Sequence, residues 1–375
     1  MTQLVVLHVC AVEYSARTLL VPQLDFLAAN GYQPRLACAP DDDRFKPGLE
    51  RFDPLAVEFS RSPTPLAVFR SARRLRAVLD EVRPDILHLH SSSAALPARL
   101  LSRKVLRRQP VVFTVHGFPF QWGRRKLSAN GARIALEWLL SKRTDTLLFQ
   151  SQEDLDGSKK ARFGGRLIYL GNGVQDHWFD VHPHVRGNRL RVLFTGRLIR
   201  AKGILDLLQA AAAVPQVELV VAGGRISSER DDISEELDRL LADPALDGRV
   251  TMMGHVDPVD MPALMETVDV FALPTFHDEG VPRSMIEAMA AGRPVIGTNV
   301  RGCRELIQDG TNGWLIQPHD VDGLRAALTD ACNRPAHDLA ELGADARQFA
   351  DERHRESLVL ARLVASYDVR AGVPA

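Results

Sequence analysis

The stretch that decides the fold runs from Val268 to Gly292 and reads VDVFALPTFHDEGVPRSMIEAMAAG. Residues Val270–Leu273 form an apolar run, which is typical of a strand buried on both faces of a sheet. A loop containing Pro and Gly follows, and apolar residues then recur at helical spacing as far as Gly292. This strand–loop–helix unit is the building block of an α/β domain.

The same alternation continues along the rest of the chain. Short runs typical of strands occur at Leu4–Val9, Gln33–Ala37, Ile86–Leu89, Val111–Val115, Thr146–Gln150, Leu167–Leu170, Arg191–Thr195, Glu218–Ala222, Val250–Met253, Val268–Leu273 and Pro294–Thr298. Because apolar residues predominate in most of these runs, we expect parallel strands joined by right-handed crossovers.

The length of 375 residues suits two domains. The segment Gln175–Asn188 is polar and rich in Pro, Gly and His, and a new strand begins just after it. We therefore predict two doubly wound α/β domains, residues 1–180 and 188–355. Ligands of such sheets bind at the carboxyl ends of the strands, so we expect a central cleft between the domains.

Composition narrows the class of protein. Hydrophobic residues make up 45% and charged residues 25%, as in globular proteins. The four cysteines show no CxxC spacing, which favours a reducing cytoplasm. No run approaches the ~20 apolar residues of a membrane span, and the N-terminus has the pattern of a strand and not of a signal peptide. Residues 1–180 carry 26 Lys and Arg against 18 Asp and Glu, a net +8, whereas residues 181–375 carry 21 against 29, a net −8.

Two cations mark one strand-to-helix junction. Arg197 follows the strand that ends at Thr195, Gly196 makes the turn, and Lys202 opens the next helix. A guanidinium and an ammonium beside a helix N-terminus favour binding of a diphosphate. The alternative is a pair of solvated surface cations.

Two carboxylates mark a second junction. Glu279 and Glu287 flank Gly280-Val281-Pro282, a backbone that a ligand can approach closely. Glu287 can accept from both hydroxyls of a ribose and Glu279 from sugar hydroxyls, while N–H groups near Ser284, as an N-cap, can hold phosphate oxygens. Glutamates on such a helix are often exposed, but apolar neighbours surround Glu287, so we expect it to have a partner. The two junctions together predict a nucleotide-sugar site.

Several short motifs follow one another over nearly the whole chain, and together they resemble family 4 glycosyltransferases of the GT-B fold, with two Rossmann-like domains. They are Val115-His116-Gly117, Gln150-Ser151, Asn172-Gly173-Val174, Gly196-Arg197…Lys202-Gly203, Glu279-x7-Glu287 and Gly302-Cys303-Arg304-Glu305…Asp309-Gly310…Asn312-Gly313.

The resemblance implies a role for each part of the site. The donor site would take its diphosphate on Arg197 and Lys202, its ribose on Glu287 and its nucleobase at the backbone of Gly254-His255-Val256. The donor sugar would meet Glu279, the Gly280–Pro282 backbone and, from across the cleft, His116. The catalytic set would thus be His116, Glu279, Arg197 and Lys202. Such enzymes retain the anomeric configuration and need no metal, so we expect no metal and no cofactor. In this fold the last helix commonly crosses back, so we expect a last helix of about residues 356–375 that returns to the first domain.

The first half is similar to bacterial enzymes of surface-polysaccharide assembly, many of which extend polyprenyl-diphosphate-linked sugars. The segments that carry this similarity are 19–24, 83–92, 113–120 and 149–154. The chain lacks the Gly-Gly pair that many members carry after the first strand, which leaves Arg17 as a candidate phosphate ligand beside His90 and Ser91 as candidate acceptor contacts.

The basic segments 70–76, 99–108 and 122–126 mix cations with Leu, Val and Trp, a pattern that suits contact with anionic lipid at the cytoplasmic membrane face. Ordinary amphipathic helices remain the alternative. We expect a nucleotide-sugar donor, more specifically a UDP-sugar, a lipid-linked glycan acceptor and no nucleic-acid partner. The rival functions are transfer to a soluble small molecule and a non-catalytic GT-B partner subunit. A Rossmann dehydrogenase is excluded, because Leu4–Arg17 contains no glycine.

Two patterns that could suggest a metal are set aside. Asp41-Asp42-Asp43 lies in a polar stretch and is interpreted as a solvated turn. His88 and His90 alternate at the end of a strand, but no third ligand is near them in sequence. We expect His88 to pack and His90 to line the cleft.

Overall fold

A computed structural model describes residues 3–42, 45–60, 64–101, 105, 109–122, 129–182, 184, 186–225, 232–277 and 280–367. These residues form two compact units. One takes in the described residues up to Gly171 and those from Val359 onward, and the other runs from Asn172 to Leu358. Within the described part of the chain, no helix is long and apolar enough to cross a bilayer.

The first unit is built on a seven-stranded sheet in the order β3-β2-β1-β4-β5-β6-β7. All neighbouring strands pair in parallel. The central strands are buried on both faces, which is why their sequences are continuous apolar runs. The strands are β1 (Leu4–Val12), β2 (Tyr32–Ala39), β3 (Leu55–Ala56), β4 (Ile86–His90), β5 (Val111–Val115), β6 (Thr146–Phe149) and β7 (Arg166–Tyr169).

The helices of the first unit connect these strands and cover the sheet. They are Glu13–Ser15, a π-helical turn Ala16–Leu20, Val21–Ala29, a 3₁₀ turn Glu50–Phe52, Pro65–Val82, Ser92–Leu100, Ala129–Ser141 and Gln152–Lys160, joined by most of the last described helix, Glu356–Tyr367.

The second unit is built on a six-stranded parallel sheet in the order β10-β9-β8-β11-β12-β13. Strands β8 and β11 are neighbours although two strands separate them in sequence, so the strand order reverses between them. The strands are β8 (Leu190–Thr195), β9 (Val217–Ala222), β10 (Val250–Gly254), β11 (Val270–Leu273), β12 (Val295–Thr298) and β13 (Gly313–Ile316).

The helices of the second unit alternate with its strands. They are the 3₁₀ turns Asp176–Asp180, Arg200–Lys202 and Pro244–Leu246, and the α-helices Ile204–Ala212, Ser234–Leu241, Met261–Met265, Arg283–Ala290, Cys303–Leu306, Val321–Asn333 and Ala336–His354.

Each strand predicted from the sequence overlaps an observed one, and the structure adds β3 and β13. The two additions have weak sequence signals. Strand β3 has two residues, and β13 begins at Gly313, where a Cβ would lie 2.0 Å from the carbonyl oxygen of Val295 on β12. The fold is the two-domain, doubly wound α/β architecture of the GT-B class.

Two predicted boundaries differ from the structure. Residues 172–180, which we placed in the first domain, belong to the second unit, because Val174 bridges to Arg355 and Trp178 packs in that unit's core. The second unit ends at Leu358 and not at residue 355, although extended backbone at Arg355 already separates helix Ala336–His354 from the last described helix, Glu356–Tyr367. Residues 368–375 lie outside the described part of the chain.

Candidate functional site

The second sheet brings the two predicted junctions together. Arg197 and Lys202 follow β8, and the Gly280–Pro282 backbone follows β11, which pairs directly with β8. In doubly wound sheets, ligands bind at the carboxyl ends of the two strands between which the order reverses. Both junctions therefore occupy the position where this fold binds ligands.

The loops after β8 and β11 are held to each other by backbone contacts. The amide of Phe276 donates to the carbonyl of Ala201 at 3.0 Å, and the hydroxyl of Thr275 donates to the same oxygen at 3.0 Å. Gly203 has a φ of +74°, and a Cβ there would lie 2.1 Å from the carbonyl oxygen of Pro274. Glycine is required at this contact because of both its dihedral angle and the lack of space.

The cation pair lies on the first of these loops. Arg197 is exposed, and Lys202 is half-buried. Lys202 ends the 3₁₀ turn Arg200–Lys202 and thus lies just before helix Ile204–Ala212, not in its first turn. The Lys202 stem folds over Gly196, with its Cδ and Cε 3.9 Å from the position of a Cβ there. Both cations thus lie at the edge of the sheet where the predicted diphosphate would bind.

The partner that Glu287 requires is Arg283, one helical turn earlier. Arg283 Nε donates to Glu287 Oε1 at 3.0 Å, and the Glu287 side chain is 18% exposed. Burial raises the pKa of Glu287 above its ordinary value, and the nearby guanidinium of Arg283 opposes this rise. The sequence signal for this pair, an Arg and a Glu four residues apart on one helix, was available but was missed.

The backbone between the two predicted glutamates is held on both sides. Asn172 Nδ2 donates to the carbonyl of Val281 at 3.0 Å. Gly302, with a φ of +84°, approaches so closely that a Cβ there would lie 2.2 Å from the carbonyl oxygen of Gly280. The sequence analysis named Asn172 and Gly302 only as parts of motifs. These contacts show that both residues hold the Gly280–Val281 backbone in place.

Two details of this segment differ from expectation or fall outside the structure. Ser284 is not the N-cap of the helix, because Pro282 occupies that position and makes no side-chain capping bond. The amide groups of the first turn are thus left without a side-chain cap. Glu279 lies outside the described residues, so its predicted contact with the donor sugar stays a prediction.

The predicted nucleobase contact lies at the edge of the same sheet. Gly254 ends β10 with a φ of +66°, and its carbonyl accepts from the amide of Gly223 at 2.7 Å. Gly223 in turn approaches Gly196, since a Cβ at Gly223 would lie 1.8 Å from the Gly196 carbonyl oxygen. His255 is exposed and Val256 is half-buried. The carboxyl ends of β10, β9 and β8 therefore form one continuous edge.

The acceptor candidates lie in the first unit, again after strands that are neighbours. Arg17 is exposed on the turn Ala16–Leu20 after β1. Ser91 follows β4 with a φ of +65°, and its buried Oγ has no hydrogen-bond partner among the described residues. Glu13, which the sequence analysis did not single out, is fully buried and accepts from the amides of Asp41 at 3.1 Å and Lys46 at 2.6 Å, so it fixes the loop beside Arg17.

The histidines of the first unit form a buried row. His90 is 2% exposed, and its ring nitrogens contact His8 Nδ1 at 3.0 Å and His116 Nε2 at 3.4 Å. The half-buried His116 also contacts Gln150 Oε1 through Nδ1 at 3.2 Å. Both ring nitrogens of His90 are therefore engaged by the neighbouring histidines in this structure. Burial lowers the pKa of His116, and the bond to Gln150 opposes that effect.

The sequence shows no third potential metal ligand near His88 and His90, but the structure places His8 beside them. Strand pairing places His8 opposite His88, and nitrogens of His8, His88 and His90 all lie within 4.8 Å of one another. Both nitrogens of His88 are already engaged, at 2.6 Å with the hydroxyl of Tyr367 and at 2.7 Å with Oγ1 of Thr114. Its surroundings thus favour a hydrogen-bonded core histidine.

Comparison with family models identifies both halves of the chain. Residues 23–177 match the family described as Glycosyltransferase Family 4, and residues 189–334 match the family described as Glycosyl transferases group 1. The two matches do not overlap and together cover most of the chain.

Individual relatives agree with the family models. The putative glycosyltransferase EpsD of Bacillus subtilis is 27% identical over 92% of this chain and 91% of its own length. The UDP-Gal:alpha-D-GlcNAc-diphosphoundecaprenol alpha-1,3-galactosyltransferase of Escherichia coli is 28% identical over 69% of each chain. Among solved structures, Anabaena Alr3699/HepE in complex with UDP and glucose superposes with a TM-score of 0.76 at 20% identity, covering 98% of this chain and 100% of that one.

Proposed function

Because this chain belongs to the glycosyltransferases, with a family 4 domain followed by a group 1 domain, we propose that it transfers a sugar from a UDP-sugar to a glycan in bacterial polysaccharide assembly. The observation that carries this proposal is the contact between the loop after β8, which holds Arg197 and Lys202, and the start of the loop after β11, where the strand order of the second sheet reverses. UDP is favoured as the nucleotide because the Anabaena structure holds UDP and the Escherichia coli relative is named for a UDP-sugar.

In the proposed donor complex, Arg197 and Lys202 bind the diphosphate, and Glu287 accepts hydrogen bonds from the ribose hydroxyls. Arg283 opposes the rise that burial causes in the pKa of Glu287, because an opposite charge 3.0 Å away favours the carboxylate. An ionised carboxylate only accepts hydrogen bonds, which suits a diol that donates two. The Gly254–Val256 backbone faces the base, and Glu279 and His116 contact the sugar.

The proposed reaction retains the anomeric configuration and uses no metal. The bond between the anomeric carbon and the β-phosphate oxygen breaks, and the acceptor oxygen bonds to that carbon on the same face. The acceptor proton passes to the departing phosphate, so the products are UDP and the glycoside. Negative charge develops on the β-phosphate, and cations fixed beside it stabilise the transition state. The glutamates bind the donor and do not act as an acid and a nucleophile.

The donor proposal is tested by a thermal-shift screen of the wild-type chain against UDP, GDP and ADP, with Glu287→Gln as the matched variant. We expect UDP to stabilise the wild-type chain most and the variant less. Hydrolysis of a panel of UDP-sugars, followed by NMR of the anomeric proton, then gives the sugar and the stereochemistry. Equal stabilisation of both proteins by UDP would refute the ribose assignment, and an inverted product would refute the mechanism.

For the acceptor, we propose a lipid-linked glycan reached at an anionic membrane surface. A groove of about 710 Å³ lies in the first unit between helices Pro65–Val82, Ser92–Leu100 and Ala129–Ser141. Its lining is mostly apolar and includes Val68, Phe69, Leu96, Leu100 and Leu136.

The edge of this groove combines exposed apolar side chains with cations. Phe69 is 66% exposed and lines the groove with Arg73 and Arg76, and Leu66 on the same helix is 59% exposed. An apolar face beside arginines is the chemistry that binds anionic lipid, since apolar groups enter the acyl boundary and guanidinium groups meet the headgroups. Residues 102–104, 106–108 and 123–128, which supply many cations of the predicted basic segments, lie outside the described residues.

Co-sedimentation with vesicles tests the membrane part of the proposal. We expect binding to phosphatidylglycerol-containing vesicles that weakens at high salt and is reduced in Phe69→Ser. The matched control is Val259→Ser, since Val259 is an apolar residue of the second unit that is 82% exposed. Absence of binding to anionic vesicles, together with transfer to a soluble acceptor, would establish the alternative function.

A further inference from the structure

The row of histidines in the first unit forms a chain of hydrogen bonds with one direction. It begins at His8, in the middle of β1, passes through His90 at the end of β4 and reaches His116 just after β5. The contacts are 3.0 Å between His8 Nδ1 and His90 Nε2, 3.4 Å between His90 Nδ1 and His116 Nε2, and 3.2 Å between His116 Nδ1 and Gln150 Oε1.

The two ends of this chain, at Gln150 and at His8, agree on one direction of donation. An oxygen only accepts, so His116 carries its proton on Nδ1 and has a lone pair on Nε2. His90 must then donate from Nδ1 and accept at Nε2, and His8 must donate from Nδ1. The remaining atom, His8 Nε2, is an acceptor, and it has no partner among the described residues. The fold thus ends the chain on an unpaired acceptor, and every N–H in it is satisfied.

Burial favours the neutral form of all three rings, which is the form that this chain requires. Burial lowers the pKa of His8 to about 3. Burial and the neighbouring imidazoles lower the pKa of His90 well below its ordinary value, and burial lowers that of His116. A neutral imidazole has one donor and one acceptor, so each ring passes on the direction it receives.

We propose that His8 and His90 are positioning residues that hold His116 as the Nδ1–H tautomer, with its Nε2 as the acceptor for a hydroxyl of the transferred sugar. The contact between His90 and His116 Nε2 is the longest in the chain. His90 therefore holds the tautomer in the free protein, and a sugar hydroxyl replaces this contact at least cost when the donor binds. The substrate contact of His116 rests on the proposed function, but its tautomer does not.

A metal site is the competing interpretation of the same cluster. A cation held by His8, His88 and His90 would have to displace the bond between His8 and His90 and one of the bonds that engage both nitrogens of His88. The hydrogen-bond chain instead uses the existing contacts as they stand. Zinc binding is therefore an outcome of the test.

The first measurement needs no activity. In the full-length chain labelled with ¹⁵N-histidine, long-range ¹H–¹⁵N spectra distinguish a protonated ring nitrogen from an unprotonated one, and the His116→Asn variant identifies the His116 signals. We expect a protonated Nδ1 and an unprotonated Nε2 at about pH 8, where the neutral form of an imidazole predominates. A His116 protonated on Nε2 would overturn the proposal.

The second measurement compares His8→Leu with His8→Asn. Asparagine keeps a donor near the position of Nδ1, whereas leucine removes it, so we expect mixed His116 tautomers in His8→Leu and the wild-type tautomer in His8→Asn. Turnover of the UDP-sugar should fall about tenfold in the leucine variant, as for other outer partners of functional histidines, and recover in the asparagine variant. The Kd for UDP should not change, because the predicted diphosphate and ribose ligands lie in the second unit.

The remaining outcomes separate the two proposals. Unchanged tautomer and turnover in His8→Leu would refute positioning, and stoichiometric zinc binding to the wild-type chain that is lost in His8→Asn would replace it with a metal site. If His8→Leu does not fold, the wild-type spectrum and the His8→Asn variant still decide. If no UDP-sugar is turned over while His116 shows the expected tautomer, the donor proposal fails and the tautomer assignment stands.

Discussion

Replacing Glu287 gives the sharpest test of the donor site. In Glu287→Ala, the carboxylate that is 18% exposed and paired with Arg283 is removed, and with it the proposed contact to two ribose hydroxyls. Hydrogen bonds to a charged group contribute about 1.5–3 kcal/mol, which corresponds to a loss of about 10- to 150-fold in affinity.

The assay is isothermal titration of UDP into the wild-type and variant chains at a pH well above the ordinary carboxyl pKa of about 4.3. The matched control is Glu341→Ala, an exposed carboxylate on helix Ala336–His354 of the same unit. We expect the control to bind UDP like the wild-type chain. Wild-type affinity in Glu287→Ala would refute the assignment of the ribose to this residue.

The pH dependence of the same titration tests the role of Arg283. The pKa of Glu287 is raised by burial, and Arg283 opposes the rise. Because the ribose hydroxyls need the ionised carboxylate, UDP affinity falls as the pH falls through this raised pKa. In Arg283→Gln the opposing charge is gone, so the pKa rises further and the fall begins at a higher pH. The Glu287→Gln variant has no carboxylate at this position, so its pH profile gives the contribution from protonation of UDP itself. Identical profiles for wild type and Arg283→Gln would show that the pair does not control binding.

Three further predictions follow from the loops and the mechanism. Lys202→Ala should lower kcat for the UDP-sugar by about 10²-fold, which is the loss typical of one preorganised hydrogen-bond donor. The control is Arg200→Ala, which removes an exposed cation of the same turn and should leave kcat near wild type. Equal losses in the two variants would refute a specific phosphate contact. Gly203→Ala should lower the melting temperature, since the positive φ costs about 1–2 kcal/mol and the new Cβ would meet the carbonyl of Pro274 at 2.1 Å, while Gly187→Ala, with open space around it, should not. EDTA should leave the initial rate of transfer unchanged, and a rate abolished by EDTA and restored by a divalent cation would contradict the metal-independent mechanism.

Local sequence patterns predicted the strands and the position of the donor site well, because parallel strands buried on both faces must be apolar. The same patterns failed where the decisive contact is short or irregular. Strand β3 has two residues and gives no periodic signal. Ser284 looked like an N-cap, but Pro282 takes that position, since proline is compatible with the start of a helix and Ser284 lies inside the first turn.

Contacts between segments that are far apart in the sequence could not be predicted from local patterns. The pairing of Arg283 with Glu287 could have been found, because it depends on helical spacing alone. The pairing of His8 with His88 could not, because 80 residues separate them and the register of β1 with β4 is set by burial of whole strands. The sequence analysis therefore judged His88 and His90 without the third histidine beside them.

The position of the histidine row argues that it serves function more than stability. Buried imidazoles lose hydration, and apolar side chains of similar volume would pack the same space without that cost. Proteins keep such groups chiefly where chemistry needs them. In the first sheet the strand order reverses between β1 and β4, the two strands that carry His8 and His90, just as it reverses between β8 and β11 at the donor site. Each unit therefore places its costly polar groups where a doubly wound sheet binds ligands, and a purely structural histidine cluster would have no reason to coincide with that position.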